Sequence, residues 1–338
     1  MAGSGTAALR DGDVVLRIED LVVDYPLDDG QVLRAVDHVS FDVRRGETVS
    51  IVGESGCGKS TTARAILQLP PPDGGSVQLD GGEITALSKS GTRAMRQRMQ
   101  MVFQNPIASL NPRRRVRDIV GEGLAIRSGK RLTDAEKARV DETLDAVGLD
   151  PESAGERRPH EFSGGQCQRI SIARALVMDP EVLVCDEPVS ALDVSVQAQI
   201  LNLIEDMKDR YALTILFISH DLSVVKNVSD RVVVMYLGKI CEIGPVDAVF
   251  HSPAHPYTRI LIDSMPEVDP DSRAELIPGD VPSPLNPPSG CRFRTRCPRA
   301  DERCREEAPV IRAFEPDHFV ACHHVGVPVS LGPASAQV

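Results

Sequence analysis

Tryptophan is absent from the 338 residues, and all aromatics together make only 4% of the chain. No run of about eighteen apolar residues occurs, so no stretch is built to span a bilayer as a helix. The first dozen residues, Met1 to Gly12, are small and polar and lack the apolar core of a signal peptide. Positive charge is in short supply: 38 Lys and Arg stand against 49 Asp and Glu, a net charge of −11. That balance argues against a nucleic-acid binder that works by bulk attraction. No internal repeat is visible. These absences lead us to expect a cytosolic chain whose eight cysteines stay reduced. The apolar fraction of 41% suffices for an ordinary core, and the length suits one large or two modest domains.

What is present centres on Gly53-Glu54-Ser55-Gly56-Cys57-Gly58-Lys59-Ser60-Thr61, which fits G-x-x-x-x-G-K-[ST], the phosphate-binding P-loop. The run Thr48 to Val52 before it reads as a buried strand, and Thr62 to Leu67 after it as a helix. In that context the glycines let backbone N–H groups turn toward phosphate oxygens, and the helix N-terminus adds its partial positive charge. Lys59 would reach the β- and γ-phosphates, and the Ser60 hydroxyl would bind Mg²⁺. A nucleoside triphosphate is the expected ligand.

Residues 13–25 and 32–43 read as strands joined by a turn at Asp28-Asp29-Gly30, an antiparallel layer ahead of the P-loop strand. Tyr25 is either a platform for a nucleotide base or a surface strand aromatic. A hairpin over 76–86 and a basic helix over 93–100 follow. Met101 to Phe103 is a short strand ending at Gln104, and Asn105 to Pro112 reads as a loop. From 116 to 148 the pattern is helical, with Thr133 and Glu136 forming a capping box. Cys167 to Met178 is a helix, Val182 to Cys185 a strand running into Asp186-Glu187, Val194 to Lys208 a helix. Leu213 to Ile218 is a strand that ends at His220, and a hairpin turns at Leu237-Gly238. This alternation predicts an α/β fold with a mostly parallel sheet. Gln104, Asp186-Glu187, His220 and the P-loop all fall just after strands, where such sheets bind ligands. Asp186 would hold Mg²⁺ opposite Ser60, and Glu187 would polarise the attacking water. From about 265, crowded prolines read as a linker into a small C-terminal module.

Together these residues resemble the ABC-type ATPases. Phe162-Ser163-Gly164-Gly165-Gln166 is similar to their signature motif, Gln104 to the Q-loop, Asp186-Glu187 to Walker B, Ser190 to Asp193 to the D-loop, and His220 to the switch histidine. Phe162 departs from the family's frequent Leu. The resemblance implies a P-loop NTPase over residues 13–250, with an antiparallel β subdomain and a helical signature subdomain at about 105–178. It implies that Gln104 and His220 serve catalysis beside Glu187, that Gln104 also touches Mg²⁺, and that Tyr25 stacks on the base. It further implies two such domains packed head to tail. Each ATP is then held by one P-loop and by the partner's signature, here Ser163, Gly164, Gly165 and Gln166, with Asp193 nearby. One cassette per chain calls for a second ATPase subunit, a paralogue or another copy.

The tail, with His255-Pro256-Tyr257-Thr258 and Pro282 to Cys291, resembles the C-terminal extension of ATPases that serve oligopeptide and dipeptide importers, with nickel importers close by. Residues 251–330 would be that extension, and the whole pattern is most similar to the second of two paired ATPases. The resemblance implies two membrane permease subunits, an extracytoplasmic binding protein acting through them, no nucleic acid, and a peripheral place on the cytoplasmic face of the membrane. Residues 105–118, with Arg113-Arg114-Arg115, are the candidate coupling surface.

Four cysteines remain: Cys291, Cys297, Cys304 and Cys322, spaced C-x5-C-x6-C-x17-C. In a reducing compartment such a group suggests a metal site, and sulfur ligation suits either Zn²⁺ or a [4Fe–4S] cluster. No C-x2-C pair supports a zinc finger. The family resemblance favours [4Fe–4S]. Cys57, Cys167, Cys185 and Cys241 lack the clustering and read as small packing residues.

Overall fold

Two sheets carry the chain. The computed structural model describes residues 6–28, 30–265 and 279–325. Asp29 of the expected turn, Pro266, Pro270 and Pro278 of the expected linker, and residues 326–330 lie outside the described residues.

The smaller sheet is antiparallel, in the order β2-β1-β4-β5: β1 is Val14–Pro26, β2 Val32–Arg44, β4 Gly74–Leu79 and β5 Gly82–Glu83. The larger has the order β11-β12-β10-β9-β3-β8-β7-β6. Its parallel part comprises β3 (Thr48–Val52), β6 (Met99–Val102), β7 (Val182–Asp186), β8 (Thr214–Ile218) and β9 (Arg231–Tyr236). Every residue of β3, β7 and β8 is buried, as expected of parallel strands covered on both faces. Val, Ile and Leu predominate in them because no face meets water. One core lies between the two sheets, around Phe41, Ile51 and Ile66. A second joins the parallel sheet to the helical segment, around Leu144, Ile170 and Phe217.

The α/β fold is as expected, and the local differences have simple causes. The basic helix runs Lys89–Arg98, and Gln100 already belongs to β6. The segment read as a loop holds a helical turn, Pro106–Ser109. Pro106 starts it rather than breaking it, because a first-turn residue needs no N–H partner. Asn105 Oδ1 caps it, accepting the Ala108 N–H at 3.0 Å. The signature helix begins at Gly164, earlier than its apolar periodicity, because Ser163 and Gln166 form a capping box. The capping box at Thr133 and Glu136 is present as expected.

The tail contributes to the main sheet. After β10 (Lys239–Pro245), strands β11 (Arg312–Glu315) and β12 (His318–Val320) continue the sheet edge, with Glu242 opposite Val320. The helix Pro256–Asp263 buries Tyr257 and Ile260 in a third core with Tyr236 and Phe293. Glu242 and His318 form a fully buried pair at 2.7 Å. The Glu242 carboxylate also accepts the N–H groups of Ala254 and His255, each at 2.8 Å.

Candidate functional site

A cleft of about 490 Å³ opens where β3, β6, β7 and β8 end. Tyr25, Leu33 and Ala35 wall it on the side of the antiparallel sheet, and Ser55, Gly56, Gly58, Lys59, Ser60 and Thr61 form its floor. Gln104, Glu187 and His220 close the far side. Residues up to 165 positions apart, Ser55 and His220, therefore meet because parallel strands deliver all their C-terminal ends to one edge.

The floor is a strained loop made affordable by glycine. Gly53 has φ +148°, and a Cβ there would lie 2.1 Å from the Met235 carbonyl oxygen. Gly58 has φ +104°, and its Cβ would lie 2.4 Å from the Ala35 carbonyl oxygen. Lys59 is buried and donates to the carbonyls of Gly53 at 2.7 Å and Glu54 at 3.1 Å. The helix Lys59–Ile66 starts at this point and aims its free N–H groups into the cleft. Cys57 is buried behind the loop, and burial raises its thiol pKa while the nearby Lys59 opposes that.

Ser60 Oγ donates to Asp186 Oδ1 at 2.7 Å, and Asp186 is fully buried at the end of β7. A hydroxyl and a carboxylate side by side at the phosphate end of the cleft are a hard-oxygen donor pair that fits Mg²⁺. Arg64, one helical turn beyond Ser60, stands 3.4 Å from Asp186 Oδ2. Sequence reasoning missed it, although its i+4 spacing from Ser60 puts both on one helix face. Glu187 sits one residue on. Its Oε2 accepts Gln104 Nε2 at 2.8 Å and faces His220 Nδ1 at 3.3 Å. Two side chains from two different strand ends thus aim a single carboxylate oxygen.

Ser163, Gly164, Gly165, Gln166 and Asp193 are not among the residues that line this cleft. They belong together elsewhere. A Cβ on Gly165 would come within 2.5 Å of Val196 Cγ1, so the signature helix packs close to the helix Val194–Tyr211 that Asp193 precedes. Val194 is 81% exposed beside them. Phe162 lies under the Arg157 guanidinium, 4.2 Å from the ring centroid.

The sequence matches the family described as "ABC transporter" over residues 36–190 and that described as "Oligopeptide/dipeptide transporter, C-terminal region" over residues 241–304. The putative oligopeptide transport ATP-binding protein YkfD of Bacillus subtilis is 50% identical over 316 residues, 91% of this chain and 95% of that one. The chain belongs to the ABC transporter ATPases. The oligopeptide transport ATP-binding protein OppF of Escherichia coli is 48% identical over 322 residues, 91% of this chain and 96% of that one. Among solved structures, the ATP-binding cassette MJ0796, a dimer bound to ADP and phosphate, aligns with a TM-score of 0.62 at 27% identity, over 68% of this chain and 98% of that one. CbiO1 of Clostridium perfringens aligns with the same TM-score at 31% identity, over 71% of this chain and 92% of that one. As an ABC ATPase, the chain hydrolyses ATP, and the residues of the cleft fit ATP with Mg²⁺.

The tail cysteines of this ATPase also come together. Cys304 and Cys322 are buried, Cys291 and Cys297 partly so. Burial pushes the Cys291 thiol up to about 12, and Cys297, Cys304 and Cys322 are all close enough to add to that shift. Cys241 of β10 was expected to be an isolated packing residue. It is buried, but Cys291 and Cys322 act on it in the same way. Among the described residues, the ligand atoms lying within 4.8 Å of one another are those of Asp301, Cys304 and His324.

The basic triplet is mostly committed within the chain. Arg114 pairs with Glu122 and Arg115 with Glu156. No described helix is long and apolar enough to cross a membrane.

Proposed function

We propose that this ATPase is the motor subunit of a peptide importer. The observation that carries the reading is Glu187 held by both Gln104 and His220 at the phosphate end of the cleft. The match of the tail to the peptide-transporter extension supplies the cargo class. Glu187 draws a proton from water as the water oxygen attacks the γ-phosphorus, and the bond to the β-phosphate oxygen breaks to give ADP and phosphate. Gln104 and His220 keep the carboxylate aimed. Lys59 and the loop N–H groups hold the phosphates, Ser60 and Asp186 would hold the Mg²⁺ that offsets their charge, and Tyr25 stacks on the base.

The position of the signature supports a paired site. Ser163 to Gln166 and Asp193 lie outside the cleft of their own chain, next to an exposed Val194, and are free to close the site of a second ATPase subunit. A helix N-terminus capped by Ser163 suits a γ-phosphate.

Two membrane permease subunits are the remaining partners, fed by an extracytoplasmic binding protein. A groove of about 790 Å³ runs between the helices Lys89–Arg98 and Glu122–Ser128. Its apolar lining includes Leu87, Met101 and Ile126, and its basic lining Arg93, Arg96 and Arg127. Phe103 lines it next to Gln104, so a short apolar and acidic helix of a permease seated there acts on Glu187 through the Q-loop. We take this groove, beside the expected residues 105–118, as a candidate docking surface. The ATPase then sits peripherally on the cytoplasmic face of the membrane.

The four tail cysteines would hold a [4Fe–4S] cluster rather than Zn²⁺. Four sulfur donors gathered in one buried or partly buried region suit such a cluster, and the family resemblance favours it over a single ion. Uptake of a labelled oligopeptide by vesicles holding the chain, its permeases and a paired ATPase tests the cargo. ATP-driven uptake supports the reading, and uptake of nickel without peptide replaces it.

A further inference from the structure

Glu54, the second residue of the P-loop, is held at three points. Its carbonyl accepts Lys59 Nζ at 3.1 Å, within the loop. The other two holds come from the C-terminal extension. The Glu54 N–H donates to Tyr257 Oη at 2.9 Å. The Glu54 carboxylate takes both Arg296 Nη1, at 2.7 Å, and Arg296 Nη2, at 3.0 Å. This is a forked pair with only 5% of the arginine side chain exposed, a geometry in which a charged hydrogen bond is strong and directional.

The supports behind these two side chains are equally specific. Arg296 also donates to Tyr236 Oη at 3.2 Å. The rings of Tyr236, Tyr257 and Phe293 meet with centroids 4.8 to 5.3 Å apart. The chain has only four tyrosines, and two of them stand under this loop. Tyr257 is placed by its helix start: His255 caps it by accepting the Tyr257 N–H at 3.0 Å, and Pro256 occupies the first turn. Arg292, in the same short turn as Arg296, reaches the Leu237 carbonyl and Asp37. Cys291 and Cys297 bracket that turn, so whatever fixes the cysteines fixes both arginines.

We propose that Tyr257 and Arg296 are positioning residues of the nucleotide site, through which the C-terminal extension sets the first half of the P-loop and tunes ATP affinity. Neither touches the phosphates. They act through Glu54, whose neighbours Ser55 and Gly56 line the cleft. The proposal rests on the reading of Gly53 to Thr61 as the phosphate-binding loop.

The test is titration of MgATP into the full-length chain and into Arg296→Met, Arg296→Lys, Tyr257→Phe and Lys59→Ala. Arg296→Met should weaken ATP binding about tenfold, within the usual range of coupling between linked sites. Arg296→Lys should recover only part, because an ammonium cannot make the fork. Tyr257→Phe removes one oxygen and keeps the ring, and should weaken binding about fivefold. If Arg296→Met does not fold, Tyr257→Phe carries the test. In the assembled transporter the same variants should raise KM for ATP and leave kcat nearly unchanged, a split that general loss of structure would not produce. Wild-type affinity in both Arg296→Met and Tyr257→Phe, alongside weak binding by Lys59→Ala, overturns the proposal. Wild-type affinity in Lys59→Ala would instead overturn the P-loop reading beneath it.

Discussion

Glu187 has φ +47°, a left-handed conformation uncommon for a residue with a Cβ. Its N–H donates to the Ile218 carbonyl at 3.0 Å, and its own carbonyl accepts Ser190 Oγ at 3.1 Å. The backbone is thus pinned on both sides while the carboxylate faces the cleft, which is where strain commonly accompanies function. His255 makes a different point about single residues. Burial pushes its imidazole down to about 4, with Glu242 opposing that shift. An unfolded histidine titrates near 6.5, so between those values the unfolded chain takes up a proton that the folded one refuses. His255 therefore costs nothing above about pH 6.5 and lowers stability as pH falls toward 4, by about 2 kcal/mol at pH 5. Urea unfolding at about pH 7.5 and about pH 5 should show a smaller acid loss in His255→Asn, whose side chain can still cap. An unchanged loss would assign the effect to other groups.

At the scale of elements, the legible parts were those with a strong local signal. The strands β3, β7 and β8 are short, mostly apolar or β-branched runs, and residues that line the cleft follow soon after each. The capping box at Thr133 could be read because a cap depends on two residues three apart, whereas the box at Ser163, of the same spacing, went unread and the helix was expected to start at Cys167. The tail strands could not. Strands of three and four residues, such as β12 and β11, leave no period to detect, and their pairing partner β10 lies some seventy positions earlier. Arg296 and the reach of Tyr257 were hidden because only tertiary packing brings them to the loop. The signature helix offers a direct test. Ser163→Ala removes a cap and should cost about 1 kcal/mol of stability in thermal melting. In the proposed paired assembly it should also depress ATP hydrolysis by more than that loss explains, because the proposal puts the same hydroxyl at the partner's nucleotide. Normal hydrolysis would remove Ser163 from the composite site.

As a whole molecule, the chain builds one nucleotide cleft and presents, on another face, the motif that would complete a second. Under the proposed pairing, the paired state is the working unit. The tail packs against the cassette of its own chain, adding an edge to the sheet, an aromatic support to the P-loop and four gathered thiols. Anaerobic purification followed by elemental analysis should find about four irons per chain, and a stoichiometric zinc content without iron would refute the cluster. The central claim is that Glu187, aimed by Gln104 and His220, activates the attacking water. ATP binding and hydrolysis by Glu187→Gln, measured beside the wild type with the paired ATPase and the permeases present, test it most directly. Binding should persist while turnover falls by at least about a hundredfold. Turnover at the wild-type rate would contradict the claim.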